Sequence, residues 1–286
     1  MKNYVREARP KSWLKNVFVF IPITFALELT DINKLLLTSV LFAAFCLVSS
    51  AVYVLNDIVD ADKDVLHPVK CKRPIASGAI SKGKAVIFAI LLLVVGLVLA
   101  GCIAWLALVL VVAYFLINVA YSFSLKHKPI YDCFCIAAGF VLRVFVGGTV
   151  ITGGVSDWLF MTVVAMSLFM AFGKRRGELI KTSGTGETRA VLERYDLEFL
   201  NGMTFVCAGL AVVFYSLWAM GRGSNMIYTV PIIIFIVSKY LLLVHGDSHG
   251  DPTTVILGNT TLLAACAVYA LLTVGLLYMN AGGIAG

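Results

Sequence analysis

Apolar residues recur in runs close to the roughly 20 residues that a helix needs to cross a bilayer, and polar residues collect between the runs. The pattern predicts spans at residues 14–30, 35–58, 84–100, 103–121, 132–151, 157–173, 200–220, 226–245 and 259–280. The apolar stretch 85–125 is too long for one helix, and Gly101 with Cys102 supplies the small-residue turn expected to divide it. The run that starts at Val17 contains Pro22 and ends at Glu28 without a small-residue cleavage site, so it is read as the first span and not as a removable signal. The expected fold is an all-α integral membrane protein of nine transmembrane helices, one multispanning domain over residues 1–286.

The polar gaps are unequal in charge. Counting Lys and Arg on alternate sides gives nineteen against two, with Lys34 and Arg222 alone on the poorer side. Basic loops stay in the cytoplasm, so the N-terminus is expected inside a cell (inner or plasma) membrane and the C-terminus outside. The outer loops are short, which places the active site and any chemistry on charged metabolites on the cytoplasmic face. A composition that is 60% hydrophobic and 14% charged excludes a water-soluble globule, and the net charge of +7 follows membrane topology, not nucleic acid. The seven cysteines form no C-x-x-C pair and read as small buried hydrophobes, without a disulfide framework or zinc site.

The segment 53–78 is the richest polar stretch. If the second span continues past the membrane edge at 100° per residue, Tyr53, Asn56, Asp57, Asp60, Asp64 and His67 fall within about one third of its circumference, and Asp62 falls opposite. Acids stacked at such spacings repel and are tolerated best with a cation among them. A partly enclosing set of hard oxygen ligands suits Mg²⁺, which keeps waters and shares substrate phosphates. A solvated acidic helix end is the alternative, but the basic cluster Lys70, Lys72 and Arg73 follows at once.

Other polar positions are open to two readings. Lys15 and Asn16, next to Trp13, either anchor the helix entrance or face a ligand. Span five carries Asp132, Ile136, Gly139 and Arg143 on one face, with Arg143 about 16 Å beyond Asp132. An arginine at that depth needs a wet cavity, a buried anion or a structural partner. The run Lys174, Arg175 and Arg176 is either a topological anchor or a phosphate site. Arg189, Glu193, Arg194, Tyr195 and Glu198 read as a short amphipathic cytoplasmic helix, and 245–251 as a turn-rich cover.

An acidic stripe for a divalent cation, basic residues on several cytoplasmic loops and an apolar bundle describe a site with two occupants, a phosphorylated polar molecule and a long lipid. A diphosphate neutralised by Mg²⁺ and Lys or Arg is a good leaving group, so group transfer from a diphosphate is the expected reaction. The motif Asn56-Asp57-x-x-Asp60-x-x-x-Asp64 followed by Arg73-Pro74 resembles the UbiA superfamily of intramembrane transferases. Within it the likeness is nearest to the phosphoribosyltransferases that act on polyprenyl phosphates, through segments 9–16, 64–74, 121–126, 139–143, 173–179 and 188–195.

That resemblance implies transfer of 5-phosphoribose from 5-phosphoribosyl 1-diphosphate, with Mg²⁺, to a polyprenyl (decaprenyl-type) phosphate, for cell-envelope polysaccharide precursors. It implies Asn56 and Asp60 as first metal ligands, with Asp57 and Asp64 as further ones. Asp57, Asp60, Asp64 and Lys126 form the expected catalytic group. Lys15, Tyr53, Asn56, Lys70, Lys72, Arg73, Tyr121, Arg143, Lys174 and Arg175 are expected to bind substrate. Prenyl-transferring members carry a second Asp-rich motif after span six, where this chain has Lys174, Arg175 and Arg176. Prenyl transfer to an aromatic acceptor is therefore the second expectation. A non-enzymatic lipid transporter is the third, weakened by the lack of paired Gly/Pro-broken helices.

Overall fold

The computed structural model describes residues 2–66, 69–182, 191–246 and 252–283. Among them every regular element is helical. The chain runs through α1 (Lys2–Glu7), a 3₁₀ segment (Pro10–Phe20), α2 (Ile21–Phe25), α3 (Ile32–Asp64), α4 (Lys82–Ile103), α5 (Trp105–Phe123) and α6 (Tyr131–Gly148). It continues as α7 (Asp157–Thr182), α8 (Leu197–Met220), a 3₁₀ turn (Ser224–Thr229), α9 (Val230–His245), α10 (Pro252–Gly258) and α11 (Thr260–Gly283). Among the described residues eight helices are long and apolar enough to cross a membrane, α9 being counted with the turn that leads into it. This is a multi-pass membrane protein.

The expected first span is built differently from the rest. Pro22 has no N–H to donate to the carbonyl of Phe18, which instead accepts from Ile21, three residues on. The chain winds as a 3₁₀ helix from Pro10 to Phe20 and turns α only afterwards. With a rise of about 2.0 Å per residue in 3₁₀ and about 1.5 Å in α turns, the two pieces laid end to end reach roughly 30 Å, a membrane thickness without one regular helix. The division of 85–125 also differs. The break is the single extended residue Ala104 (φ −156°), and Gly101 is helical, with room for a Cβ at ordinary contact distance from Leu108 of α5.

The described chain packs as two compact units, Met1–Ser124 with Leu142–Gly154, and Leu125–Val141 with Val155–Gly286. In the first, α3 is the spine. Its Leu41, Phe45, Val48 and Val52 pack with Ala100, Ala107, Val111, Tyr114, Val19 and Val146. Lipid offers no hydrophobic drive between helices, so close contact must come from small residues. Gly96 supplies it for α4, since a Cβ there would lie 2.6 Å from Val48 Cγ2 and 2.9 Å from the Ala44 carbonyl oxygen. The opposite face of α4, with Ile87, Ile90, Leu91, Val94 and Val98, is exposed as a lipid-facing surface should be. At about 1.5 Å per residue α3 is roughly 50 Å long, so its C-terminal turns extend beyond a hydrocarbon core of about 30 Å. There Val54, Ala61, Ile75, Ile80 and Ala85 form a second cluster.

In the second unit α7 and α8 pair along their length around Phe169, Phe172 and Leu200, and the Phe169 ring meets Tyr240 of α9 edge-on at 5.1 Å. The segment expected as an amphipathic helix is a short 3₁₀ turn, Leu192–Arg194, between buried Val191 and Tyr195. Glu198 already belongs to α8. Arg189 and residues 247–251 lie outside the described residues. All seven cysteines are free thiols, and Cys102 is exposed, not buried.

Candidate active site

α3 carries the expected stripe through to Asp64, and burial sorts it. Asp57 and Asp64 turn inward and are almost inaccessible, while Tyr53, Asn56 and Asp60 are half-buried. Asp62 faces the other way, its side chain 88% exposed, with Lys82 Nζ at 2.8 Å. His67 lies outside the described residues. The cations among the acids are arginines. Asp57 Oδ1 accepts from Arg9 Nη2 at 2.6 Å and from Arg73 Nη1 at 2.9 Å, and Oδ2 accepts from Arg9 Nη2 at 2.5 Å. Arg73 Nη1 also donates to Asp64 Oδ2 at 2.5 Å. Arg73 reaches them from the turn Lys70–Lys72 in the extended conformation that its following proline favours.

The 3₁₀ segment lies along α3 and is fastened at three levels. Arg9 meets Asp57, Trp13 Nε1 donates to Ser50 Oγ at 2.9 Å, and Asn16 Nδ2 donates to Ser49 Oγ at 3.2 Å. Asn16 is fully buried, and its Oδ1 accepts from Arg143 Nε at 2.8 Å. Arg143 Nη2 donates to the Tyr114 hydroxyl at 3.3 Å, and the guanidinium lies 4.8 Å and 4.9 Å from the Phe45 and Tyr114 ring centres. Polar partners and ring faces thus accommodate a cation that bare hydrocarbon would not. Asn56 is tied to α5 by the Ser122 hydroxyl, which also bonds the Asn118 carbonyl.

Glu7, at the end of α1, is buried, with neither carboxylate oxygen hydrogen-bonded among the described residues. Burial, and then the negative charge of Asp57, push its pKa up to about 7 against the pull of Arg9 and Arg73.

The second unit holds the expected cations Lys126, Lys174 and Arg175, and their positions differ. Arg175 is buried, its Nε donating to Asp132 Oδ2 and its Nη1 to Glu178 Oε2 at 2.6 Å. The Tyr195 hydroxyl donates to Asp132 Oδ1 at 2.7 Å and accepts the Ile130 N–H at 2.6 Å. Burial and this bond to Asp132 raise the Tyr195 pKa well above the ordinary phenol value. Arg176 also turns inward, to Asn201 Oδ1 at 2.6 Å and the Val244 carbonyl at 2.8 Å. Lys174 and Lys126 are half-buried. Of the remaining expected residues, Lys15, Lys70 and Tyr121 are half-buried and Lys72 is exposed, all four in the first unit.

The sequence of the chain matches the model of one family of transferases over residues 17–256. The chain belongs to the UbiA prenyltransferase family. It is 34% identical over 272 residues to a decaprenyl-phosphate phosphoribosyltransferase of Mycobacterium tuberculosis (strain ATCC 25618 / H37Rv), the match covering 90% of this chain and 88% of that one. A decaprenyl-phosphate phosphoribosyltransferase of Mycolicibacterium smegmatis is 30% identical over 276 residues, covering 90% and 87%. Among solved structures, a UbiA homolog from Archaeoglobus fulgidus bound to GPP and Mg²⁺ shares the fold with a TM-score of 0.74 at 17% identity, covering 96% of this chain and 99% of that one.

Seen as a UbiA member, the chain keeps the acidic helix end legible in its sequence, while several of its partners were not. Arg9, Asn16 and Ser122 look in sequence like a topological charge, a helix cap and a small span residue. Their partners lie between 30 and 127 positions away. The signals were that all three lie in segments 9–16 and 121–126, which carry the family resemblance, and that Asn16 stood open to a ligand-facing reading.

Proposed function

We propose that this chain transfers 5-phosphoribose from 5-phosphoribosyl 1-diphosphate to a polyprenyl phosphate of the decaprenyl type and releases diphosphate. The observation that carries this reading is the 30–34% identity, over nine tenths of the chain, to two relatives that bear the name of that activity. An oxygen of the lipid phosphate attacks the anomeric carbon of the ribose. The bond from that carbon to the diphosphate oxygen breaks, and its electron pair leaves with the diphosphate. The attacking phosphate is already anionic, so the chain need supply no general base.

The donor set fits Mg²⁺ as an ion that shares its shell with water and substrate. Among the described residues no three His, Cys, Asp or Glu side chains converge to cage a metal alone. Asn56 and Asp60, one turn apart on the half-buried part of the stripe, are the first ligands, with Asp57 and Asp64 next to them. When bound, Mg²⁺ would neutralise charge on the departing diphosphate. Asp57 and Asp64 also hold Arg73 at the edge of the stripe, from where its remaining donors serve donor phosphates, beside Lys15, Lys70 and Lys72. Tyr53 and Tyr121 flank the donor. Lys126 and Lys174 take other phosphate groups. Arg143, expected to bind substrate, instead braces the 3₁₀ segment through Asn16, and Arg175 orders the loop that begins at Lys126. The catalytic helix end faces the cytoplasm of a plasma membrane, with the N-terminus inside, and the chain acts as one multispanning domain.

Membranes that contain this protein, given labelled 5-phosphoribosyl 1-diphosphate, Mg²⁺ and decaprenyl phosphate, should form a labelled lipid heavier than the acceptor by one phosphoribosyl group. A prenylated aromatic acid from geranyl or farnesyl diphosphate, with no label in lipid, would replace this assignment with ordinary prenyl transfer.

A further inference from the structure

Arg9 stands where a backbone should resist it. Its φ of 51° and ψ of 60° are left-handed, a region that side chains other than Gly, Asn and Asp seldom enter. The residue before a proline is also normally confined to extended conformations, and Pro10 follows. One side chain fixes both flanks of this turn. The Ser50 hydroxyl donates to the Ala8 carbonyl at 2.7 Å and accepts from Trp13 Nε1 at 2.9 Å, so the chain is clamped to α3 on either side of Arg9. Backbone held in such a region marks a position where the surrounding structure enforces a geometry.

What is enforced is the aim of a guanidinium. Arg9 lies 5.0 Å from the Tyr53 ring centre and spends Nη2 on the two oxygens of Asp57. Its Nε and Nη1 have no partner among the described residues, and the side chain is 28% exposed. Arg9 and Arg73 converge on the same atom, Asp57 Oδ1, at 2.6 Å and 2.9 Å. Two forks meeting at one anionic oxygen form the arrangement that binds a phosphate oxygen, presented beside Asn56 and Asp60.

We propose that Arg9 is a phosphate-binding residue of this site, held in its left-handed turn by Ser50 so that it and Arg73 clamp the diphosphate of the substrate. The assignment of a diphosphate rests on the function proposed above. Asp57 is then the counter-ion that keeps both guanidiniums aimed in the absence of substrate. Arginine is needed for its fork, and the strained backbone for its direction.

The test uses the full-length protein in membranes or detergent, with Arg9→Gln, Arg9→Lys and Arg9→Gly. Loss of charge-assisted hydrogen bonds should raise KM for the diphosphate donor by about 10- to 100-fold in Arg9→Gln, with KM for the lipid phosphate little changed. Arg9→Lys should recover part of the loss. Arg9→Gly relaxes the backbone and should still lose donor affinity as fully as Arg9→Gln. Wild-type donor KM in Arg9→Gly, or equal loss of affinity for both substrates, would overturn the proposal. A second measurement stands apart from turnover. Inorganic diphosphate with Mg²⁺ should raise the thermal midpoint of the wild type and shift Arg9→Gln much less, and equal shifts, or none in the wild type, would also overturn it. If the wild type binds diphosphate in this Arg9-dependent way but moves no phosphoribose, the assigned reaction fails and the role of Arg9 stands.

Discussion

Arg175 and Asp132 form an ion pair in which neither side chain reaches solvent, at 1% and 0% exposure. Both partners have further duties, Arg175 to Glu178 and Asp132 to Tyr195. Removing one member of such a pair leaves a buried charge uncompensated and costs about 3–5 kcal/mol. A lysine keeps the charge but cannot reach Asp132 and Glu178 together as the planar fork does. Arg175→Lys should therefore lower the thermal midpoint of the detergent-solubilised protein, and Asp132→Asn should do the same. Lys174→Gln should leave the midpoint unchanged and raise KM for a phosphorylated substrate. An Arg175→Lys protein of wild-type stability whose only defect is a higher substrate KM would show that Arg175 touches phosphate itself.

The two faces of the C-terminal turns of α3 should respond very differently to mutation. Asp62 makes an exposed pair with Lys82, the kind worth about 0–1 kcal/mol, and Asp62→Ala should retain activity and stability. Asp60→Ala removes a proposed metal ligand and Asp57→Asn takes the counter-ion from two arginines. Each should lower kcat/KM by about 100-fold or more, at the upper end of the cost of removing a group that orders a metal site. Titrating Mg²⁺ in the Asp60→Ala protein should show a raised requirement, and parallel losses in Asp60→Ala and Asp62→Ala with folding intact would be incompatible with a one-sided site.

The stripe was legible because a helix has a fixed period. Tyr53, Asn56, Asp57, Asp60 and Asp64 needed only the 100° rule and a helix long enough to leave the membrane, and α3 provides that length. The helices were legible for a similar reason, since lipid imposes apolar runs of defined length. What escaped were choices between partners distant in sequence. Arg175 and Lys174 are neighbours at the end of an apolar run, and only the fold determines that the first turns toward Asp132, 43 positions away. The segment expected as the first span also escaped, since it is 3₁₀ from Pro10 to Phe20 and Pro22 signals only the change at its end, where the Phe18 carbonyl accepts from Ile21.

Glycines divide by what stands opposite them. A Cβ on Gly147 would lie 1.9 Å from the Val19 carbonyl oxygen and 2.9 Å from its carbon, both backbone atoms of the 3₁₀ segment. Backbone cannot yield as a side chain can, so Gly147→Ala should force the 3₁₀ segment away from α6 and sharply reduce the yield of folded, monodisperse protein. Gly202, on an exposed turn of α8, has nothing within 4 Å. Gly202→Ala should be neutral or stabilise the protein by up to about 1 kcal/mol, because alanine loses less backbone freedom in a helix. Comparable yields for the two variants in size-exclusion chromatography would contradict the close contact at Val19.

Glu7 sets a pH dependence whose sign follows from its surroundings. Its carboxyl titrates near 7 in the folded protein against a reference of 4.5, chiefly because it is buried and secondly because Asp57 is close. The folded state therefore binds more protons than the unfolded state between those values, and stability must fall as pH rises across that window. At pH 4 Glu7 is neutral in the fold and mostly neutral in the unfolded chain, and it has little effect. By pH 8 its charge is buried beside another carboxylate, and the contribution reaches at most about 3 kcal/mol, the equivalent of a shift from 4.5 to about 7. Glu7→Gln keeps the shape and removes the titration. Measured in chelator, so that no metal changes the balance, the variant should match the wild type at pH 4 and be the more stable at pH 8. The attraction of Glu7 for Arg9 and Arg73 works in the opposite direction, and if it prevailed the carboxylate would be the stabilising form. A Glu7→Gln protein less stable than the wild type at pH 8 would show that the two arginines, and not burial and Asp57, decide the charge of Glu7.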